Sequence, residues 1–341
     1  MGVMKLRVGL VLTTMLVALV ALAGCAKSAQ QTPARAASPQ ASFATPEEAV
    51  TALIAAGERH DVDALHELLG RGTADLVSSG DPVADRRARE AFLARYRAHH
   101  ELISGGPNDM VLVVGEDRWP FAIPLVRTDG RWFWDGAAGA PELVSRRIDA
   151  NQRRTIEVMR SFVQAERTYA VVGHDGAPAG EYAHKLRSTP GQQDGLYWDT
   201  AAGEPQSPAG PLLAAAAAEG YSAGAGRRVP YHGYVYRLLT SQGQSATGGA
   251  RDYLENGRLT GGFAALAYPD TYGSSGVMTF IVNQDGVVWQ RDLGKDTAAA
   301  AAAIKQFNPD TQWNPIAPAE SAGSAAQTNA TAPPIRSGVR R

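Results

Sequence analysis

His232 stands between Tyr231 and Tyr234 in the run Pro230-Tyr-His-Gly-Tyr-Val-Tyr236, and a second aromatic run, Gln193-Asp-Gly-Leu-Tyr-Trp198, lies upstream. An imidazole can move a proton if a reacting group comes within hydrogen-bond reach. Aromatic faces beside carboxylates can instead hold a sugar or a peptide. If the two loops converge, Asp194, Tyr197 and Trp198 join Tyr231, His232 and Tyr234 as candidate binding residues. The plainer alternative is a buried histidine satisfied by backbone groups. Paired carboxylates for glycoside hydrolysis would have to come from Asp194, Asp199, Asp252 or Glu255.

Other chemistry finds less support. Gly220-Tyr-Ser-Ala-Gly224 has the letters of a nucleophile elbow, but that motif needs a strand before the serine and a helix after it. Here an alanine-rich helix precedes it and Gly226-Arg-Arg-Val-Pro230 follows. The seven histidines (His60, His66, His99, His100, His174, His184 and His232) include no i, i+4 pair around a glutamate, as a zinc helix requires. Asp61 and Asp63 lack the glycine and distal glutamate of a calcium loop. No glycine-rich phosphate cradle opens a helix after a strand. The sequence therefore assigns no catalytic residue, metal or cofactor.

The elements that would position these residues can be read from periodicity. Thr45-Pro-Glu-Glu48 places an N-cap hydroxyl, a proline at the first helical position and a glutamate three residues on, the pattern of a capping box. Ala49, Val50, Leu53 and Ile54 follow at helical spacing, and Asp61 caps a second helix through Leu65, Leu68 and Leu69. A third helical piece covers Ala84 to His99. The period then becomes two, at Met110–Val114, Trp119–Val126 and Arg131–Trp134, with a turn at Asp129-Gly130. From Pro141 to about Ala170 a long amphipathic helix bridges to the second half. Val144, Ile148, Thr155, Met159, Phe162, Val163 and Tyr169 form its stripe. Glu157, Arg160, Glu166 and Arg167 read as solvated or stapled charges.

Beyond Gly173, turns lead to a short helix at Pro211–Glu219. Strands follow at Gly233–Thr240, Gly261–Tyr268, Val277–Asn283 and Val287–Arg291, the last two joined by Asp285-Gly286, a strong hairpin signal. Phe280, Val282 and either Val287 or Trp289 would face the long helix. Asp296 or Thr297 caps a last helix ending before Asn308-Pro309. The fold class is α+β: a small helix-plus-meander roll, a long bridging helix, then an antiparallel sheet packed on it.

The first 25 residues carry Lys5 and Arg7, then the apolar run Val8–Val20, then Leu22-Ala-Gly-Cys25. That order of parts resembles a secretory signal ending in the lipobox of bacterial lipoprotein precursors. The resemblance implies that Cys25 becomes an acylated N-terminus, with more than one chain for stable anchoring. Ala26 rather than Asp then favours the outer membrane, facing the periplasm, in a two-membrane bacterium. Cys25 is the only cysteine, so no disulfide is open to the mature chain. Removing Lys5 and Arg7 from 33 basic side chains leaves 31 against 34 acidic ones, a net of −3. Nucleic acid is not an expected partner.

The opening ATPEEAVTALIAAGERHDVDALHELL and the closing DGRWFWDG resemble the nuclear transport factor two-like, or cystatin-like, roll. The combination Gln193–Trp198, Pro230–Tyr236, Gly261-Gly-Phe263 and Tyr272 to Gly286 resembles the bacterial domain of unknown function 2950 family over roughly residues 45–317. More distantly, RTIEVMRSFVQAERTYA, YVYRLLT and GGFAALAYPDTYGSSGVMTFIVNQDGVV are similar to type IV pilin and pseudopilin heads. These readings give a signal peptide over 1–24, a flexible tether over 25–43, a roll over 44–139, a long helix with a pilin-like domain over 140–316, and a disordered tail over 317–341. The expected role is an exported, membrane-anchored, non-enzymatic binding or scaffold module, with an envelope glycan, peptide or protein as its partner. A hydrolase using His232 and a plain structural spacer are the alternatives.

Overall fold

The computed structural model describes residues 40–317, apart from 71, 202 and 222–229. The signal peptide, Cys25, most of the tether, the serine of Gly220–Gly224 and nearly all of the C-terminal tail lie outside the described residues.

The first half wraps four helices around a five-stranded sheet. Helix α1 spans Pro46–Glu58, α2 Val62–Leu69, α3 Ala74–Val77 and α4 Pro82–Ala98. Thr45 Oγ1 accepts the Glu48 N–H, and Glu48 Oε2 reaches back to the Ala44 N–H at 3.0 Å. The reciprocal cap forms one residue earlier than in a standard box. Asp61 and Asp81 cap α2 and α4 with their carboxylates, satisfying amide donors that the helix itself leaves unpaired. Strands β1 (His100–Gly106), β2 (Asp109–Val114), β4 (Leu125–Thr128) and β5 (Arg131–Trp134) pair in that order, and β3 (Trp119–Pro120) pairs with β2. Ala49, Leu53, Leu112, Val114, Leu125 and Trp134 are buried together, with the Trp134 indole N–H donating to the Ala49 carbonyl at 3.2 Å. Residues 40–43, read as the end of a tether, are tied to this unit. Phe43 exchanges two backbone hydrogen bonds with Trp132, and the Gln40 amide donates to the carbonyls of Leu68 and Trp134.

Helix α5 spans Gly136–Ala170, 35 residues, about 52 Å at ~1.5 Å per residue. It starts earlier than the sequence pattern suggested, because Asp135 caps it at the Ala138 N–H. Two glycines let its first turns touch the roll: a Cβ on Gly136 would lie 2.1 Å from the Leu69 carbonyl oxygen, and one on Gly139 2.5 Å from the Ala122 carbonyl oxygen.

The second half contains α6 (Gly210–Ala218), α7 (Thr297–Ala303) and an antiparallel sheet. Its strands are β6 (Tyr234–Leu239), β7 (Ala264–Pro269), β8 (Met278–Asn283), β9 (Trp289–Asp292) and β10 (Asn314–Pro315), in the spatial order β10-β9-β8-β7-β6. Cross-strand register puts Tyr236, Ala267 and Phe280 in one row and Leu238, Ala265 and Val282 in the next. This is the face toward α5, since the Tyr236 hydroxyl lies 3.3 Å from Thr155 Oγ1. Trp289 pairs with Ile281 and so belongs to the opposite face. Val287 is the residue beside α5, together with Val163 and Arg167.

The hairpin therefore holds the domain together. Its turn runs over Asn283–Gly286, closed by the Gly286 N–H on the Asn283 carbonyl, and the Arg167 guanidinium donates to the Gln284 carbonyl at 2.9 Å. Here Gly286 takes positive φ and Asp285 does not, whereas at Asp129-Gly130 both residues do. The two Asp-Gly pairs thus make different turns, and the Asp129 pair has the φ signature of a two-residue hairpin loop. Helix α7 is shorter than the alanine run implied, since Ile304 is already extended.

Candidate functional site

Between the second half of α5, the 186–197 loop, α6 and β6 lies a cavity of about 560 Å³, within the range typical of small-molecule sites. Val158, Met159, Phe162 and Ala165 of α5 form one wall; Ala209, Leu213, Ala216 and Ala217 form the opposite one. The alanines of α6 explain the space. They favour a helix strongly yet project only a methyl group each, so the helix stands off without filling the gap. Tyr197, Tyr221, Tyr231 and Tyr236 edge the cavity.

Several of these polar rim groups are already engaged. The Tyr197 hydroxyl donates to Asp199 at 2.7 Å, and the Arg187 guanidinium sits 5.2 Å over the Tyr197 ring and pairs with Asp199 at 3.4 Å. The Tyr221 hydroxyl donates to Asp81 Oδ2 at 2.7 Å. Arg237 reaches the carbonyls of Ala301 and Ile304 at 2.7 and 2.6 Å. What remains for a ligand is chiefly apolar wall.

The six candidate binding residues divide into two clusters. Asp194 is a structural link in its own loop. It accepts from Lys185, from the Thr189 N–H at 2.7 Å and from Thr189 Oγ1 at 2.8 Å. The Lys185 hydrogen bond and then the Thr189 amide hold its carboxyl well below the usual range. Trp198 packs edge-on against His174, 5.3 Å between centroids, and Tyr169. Tyr197 faces the cavity.

In the second cluster Tyr231 lines the same cavity, so of the six candidates Tyr197 and Tyr231 meet there, with Leu196 and Tyr236 of the same two runs beside them. Tyr234 is fully buried, donates to the Met278 carbonyl at 2.9 Å, packs on Phe280 and does not line the cavity. It shares its strand face with Tyr236, which reaches the cavity edge.

His232 is buried, as the plainer reading had it, but is not satisfied. Its Nδ1 has no hydrogen-bond partner among the described residues, and the nearest carboxylate oxygen, Glu219 Oε2, is 3.8 Å away. Burial lowers the imidazole pKa, while Glu219 acts in the opposite sense. The residue has φ 52°, a left-handed conformation that is uncommon for a side chain of this size. Its ring lies 4.1 Å from the Tyr231 ring. Asp81 is the hub of this corner. Oδ1 caps α4 through Val83 and Ala84, while Oδ2 accepts from Tyr221 and from the Gly233 N–H at 3.1 Å. Glu219 also pairs with Arg87 of α4.

The sequence reading missed Asp81, Glu219, Tyr221 and the α6 wall. It also misplaced Glu166, which is fully buried. One oxygen of Glu166 accepts the Ala183 N–H at 2.9 Å while the other has no hydrogen-bond partner among the described residues, and burial drives its carboxyl pKa well up. The carboxylates considered for glycoside hydrolysis each have local partners. Asp252 accepts the Leu254 N–H, Glu255 accepts Thr260 Oγ1, and Asp194 and Asp199 are held as above. Among the described residues no group of three His, Cys, Asp or Glu side chains is placed to hold a metal ion.

The sequence pattern of the family described as protein of unknown function (DUF2950) matches residues 40–316. The chain belongs to that family. No curated protein and no solved structure matches it. The match covers both halves and the whole of α5, so the family unit includes the roll, the cavity and the Asp81 hub together.

Proposed function

We propose that this DUF2950 protein is an exported bacterial envelope protein, anchored through acyl chains on Cys25, that binds an uncharged apolar ligand in the cavity beneath α6. It acts as a binding module and not as an enzyme. In a two-membrane bacterium it sits on the outer membrane and faces the periplasm. The pilin-head and roll likenesses belong to the same proposal, supported by a long helix laid on an antiparallel sheet behind a helix-and-meander half.

The observation that carries the binding reading is the cavity of about 560 Å³ with mainly apolar walls. Its size speaks against a plain spacer. The hydrolase reading has in its favour the unpartnered His232 imidazole with Glu219 Oε2 at 3.8 Å, but that carboxylate already pairs with Arg87.

Two experiments test the proposal. N-phenyl-1-naphthylamine, a neutral apolar fluorophore, should bind the purified protein and brighten, and Ala216→Phe should weaken binding at least tenfold with unchanged circular dichroism. Equal binding by both proteins removes the cavity from the account. For the anchor, intact mass and detergent partitioning should give an acylated chain starting at residue 25 that Cys25→Ser abolishes. An unacylated, water-soluble wild type overturns it.

A further inference from the structure

A second cavity, of about 390 Å³, lies where the roll meets the first half of α5. Leu53, Leu65, Leu69, Val77, Phe92 and Leu93 supply an apolar wall, as in the head cavity, but the charges are of another kind. The charged side chains lining it are Asp85 and Arg89 from α4 and Arg147 and Arg154 from α5. Three guanidiniums thus meet one carboxylate.

None of those three arginines has a carboxylate within 4.0 Å among the described residues. Arg147 spends its Nε and Nη2 on the carbonyl and hydroxyl of Ser274, both at 3.0 Å. Among the described residues Arg89 reaches only the Val77 carbonyl, at 3.4 Å, and its buried Nε has no hydrogen-bond partner there. Asp85 is turned to the Ser79 N–H at 2.9 Å. Burial raises the Asp85 pKa against the pull of Ser79, Arg147 and Arg89, and burial lowers that of Arg147.

Arg147 and Arg89 are partly buried and Arg154 is exposed; Arg147 is the cation that burial penalises, with Asp85 and Asp75 offsetting part of that at longer range. A partly desolvated guanidinium recovers most when it grips a planar anion with two parallel hydrogen bonds. We propose that this cavity is a binding site for a single-chain anionic amphiphile, with its carboxylate on Arg89, Arg147 and Arg154 and its tail among Leu53, Leu65 and Phe92. The surplus of positive charge selects the sign of the head group; the apolar wall selects a tail over a small inorganic anion. Arg147, Asn151 and Arg154 fall at i, i+4 and i+7, one stripe of α5, and all three line this cavity.

The test is calorimetric titration of the folded chain with decanoate, decanol, decyltrimethylammonium and acetate, in the Ala216→Phe background so that binding in the head cavity does not contribute. Decanoate should bind at least tenfold more tightly than decanol, with decyltrimethylammonium and acetate weaker still. Arg89→Gln should reduce decanoate affinity at least tenfold and leave decanol within twofold, and Arg89→Lys should fall between the two. Decanol binding as tightly as decanoate overturns the proposal, and so does an Arg89→Gln protein that binds decanoate like its parent. Arg147→Gln serves as a second variant, with its melting temperature recorded because Arg147 also fastens Ser274.

Discussion

The two cavities flank one helix and differ in what their charged groups are doing. Beside the α5 half from Val158 to Ala165, the rim side chains Tyr197, Tyr221, Arg187 and Arg237 are bound to protein partners, leaving a largely apolar space. Beside the half from Leu143 to Arg154, cationic groups line the space without carboxylate partners. An apolar wall alone says little about a ligand. The state of its polar rim distinguishes a site for a neutral molecule from one for an anion. Both depend on the same scaffold, because α5 is fastened to the roll at Gly136 and Gly139 and to the sheet at Thr155 and Arg167.

The largest effects should come from the cores behind each cavity. Trp134→Ala in the roll and Phe280→Ala under the head sheet remove fully buried rings and should each lower stability by ~3–5 kcal/mol. Urea denaturation followed by fluorescence and circular dichroism should show one transition shifting in both variants. Two separate transitions would break the idea that α5 couples the halves.

Asp81→Ala comes next. It strips the α4 cap and leaves the Tyr221 hydroxyl and Gly233 N–H without their acceptor. A loss of about 3 kcal/mol is expected from a cap plus a buried hydrogen-bonded charge. A loss below ~0.5 kcal/mol would mean that the hub does not join the roll to the head.

The pH response separates the halves further. His232 has a folded pKa below its ordinary value, with burial the main cause and Arg154 and Arg87 acting with it against Glu219 and Asp81. The native state therefore favours the neutral ring. This contribution is present above the unfolded pKa of ~6.5 and is lost as pH falls through the folded value. Thermal melts from pH 7 down to 5 should show wild type losing more stability than His232→Gln. Parallel curves would remove His232 from the account.

The smallest effect belongs to exposed ion pairs outside both cavities. Arg97→Ala breaks a 2.7 Å pair with Glu58 in which both side chains are about half exposed, and should change stability by no more than ~0.5 kcal/mol.

Much of the scaffold is legible in the residues. Caps at Thr45 and Asp61, alternation through β6 to β9 and the stripe Thr155-Met159-Phe162 lead to the right elements because each signal is local. The cavities are not local. Whether α6 fills the space beside Phe162 depends on a run of alanines meeting residues far away in the chain. Glu166 reads as solvated from its neighbour Arg167, but the position belongs with Phe162, Val163 and Tyr169, the buried side of α5. Tyr234 offers a clearer lesson. It shares a strand face with Tyr236, yet Tyr234 is buried against Phe280 while Tyr236 edges the cavity, so period two alone does not separate packing from site. The stripe Arg147-Asn151-Arg154 takes on meaning only in the structure, where helices of the first half lie against it.

The most direct test is a crystal structure of the protein grown with N-phenyl-1-naphthylamine. The account predicts the probe's density between α5 and α6, against Phe162, Ala216 and Tyr231, with the Tyr221–Asp81 hydrogen bond intact. A structure in which α6 has closed onto Phe162, or in which the probe lies outside that cavity, would contradict it.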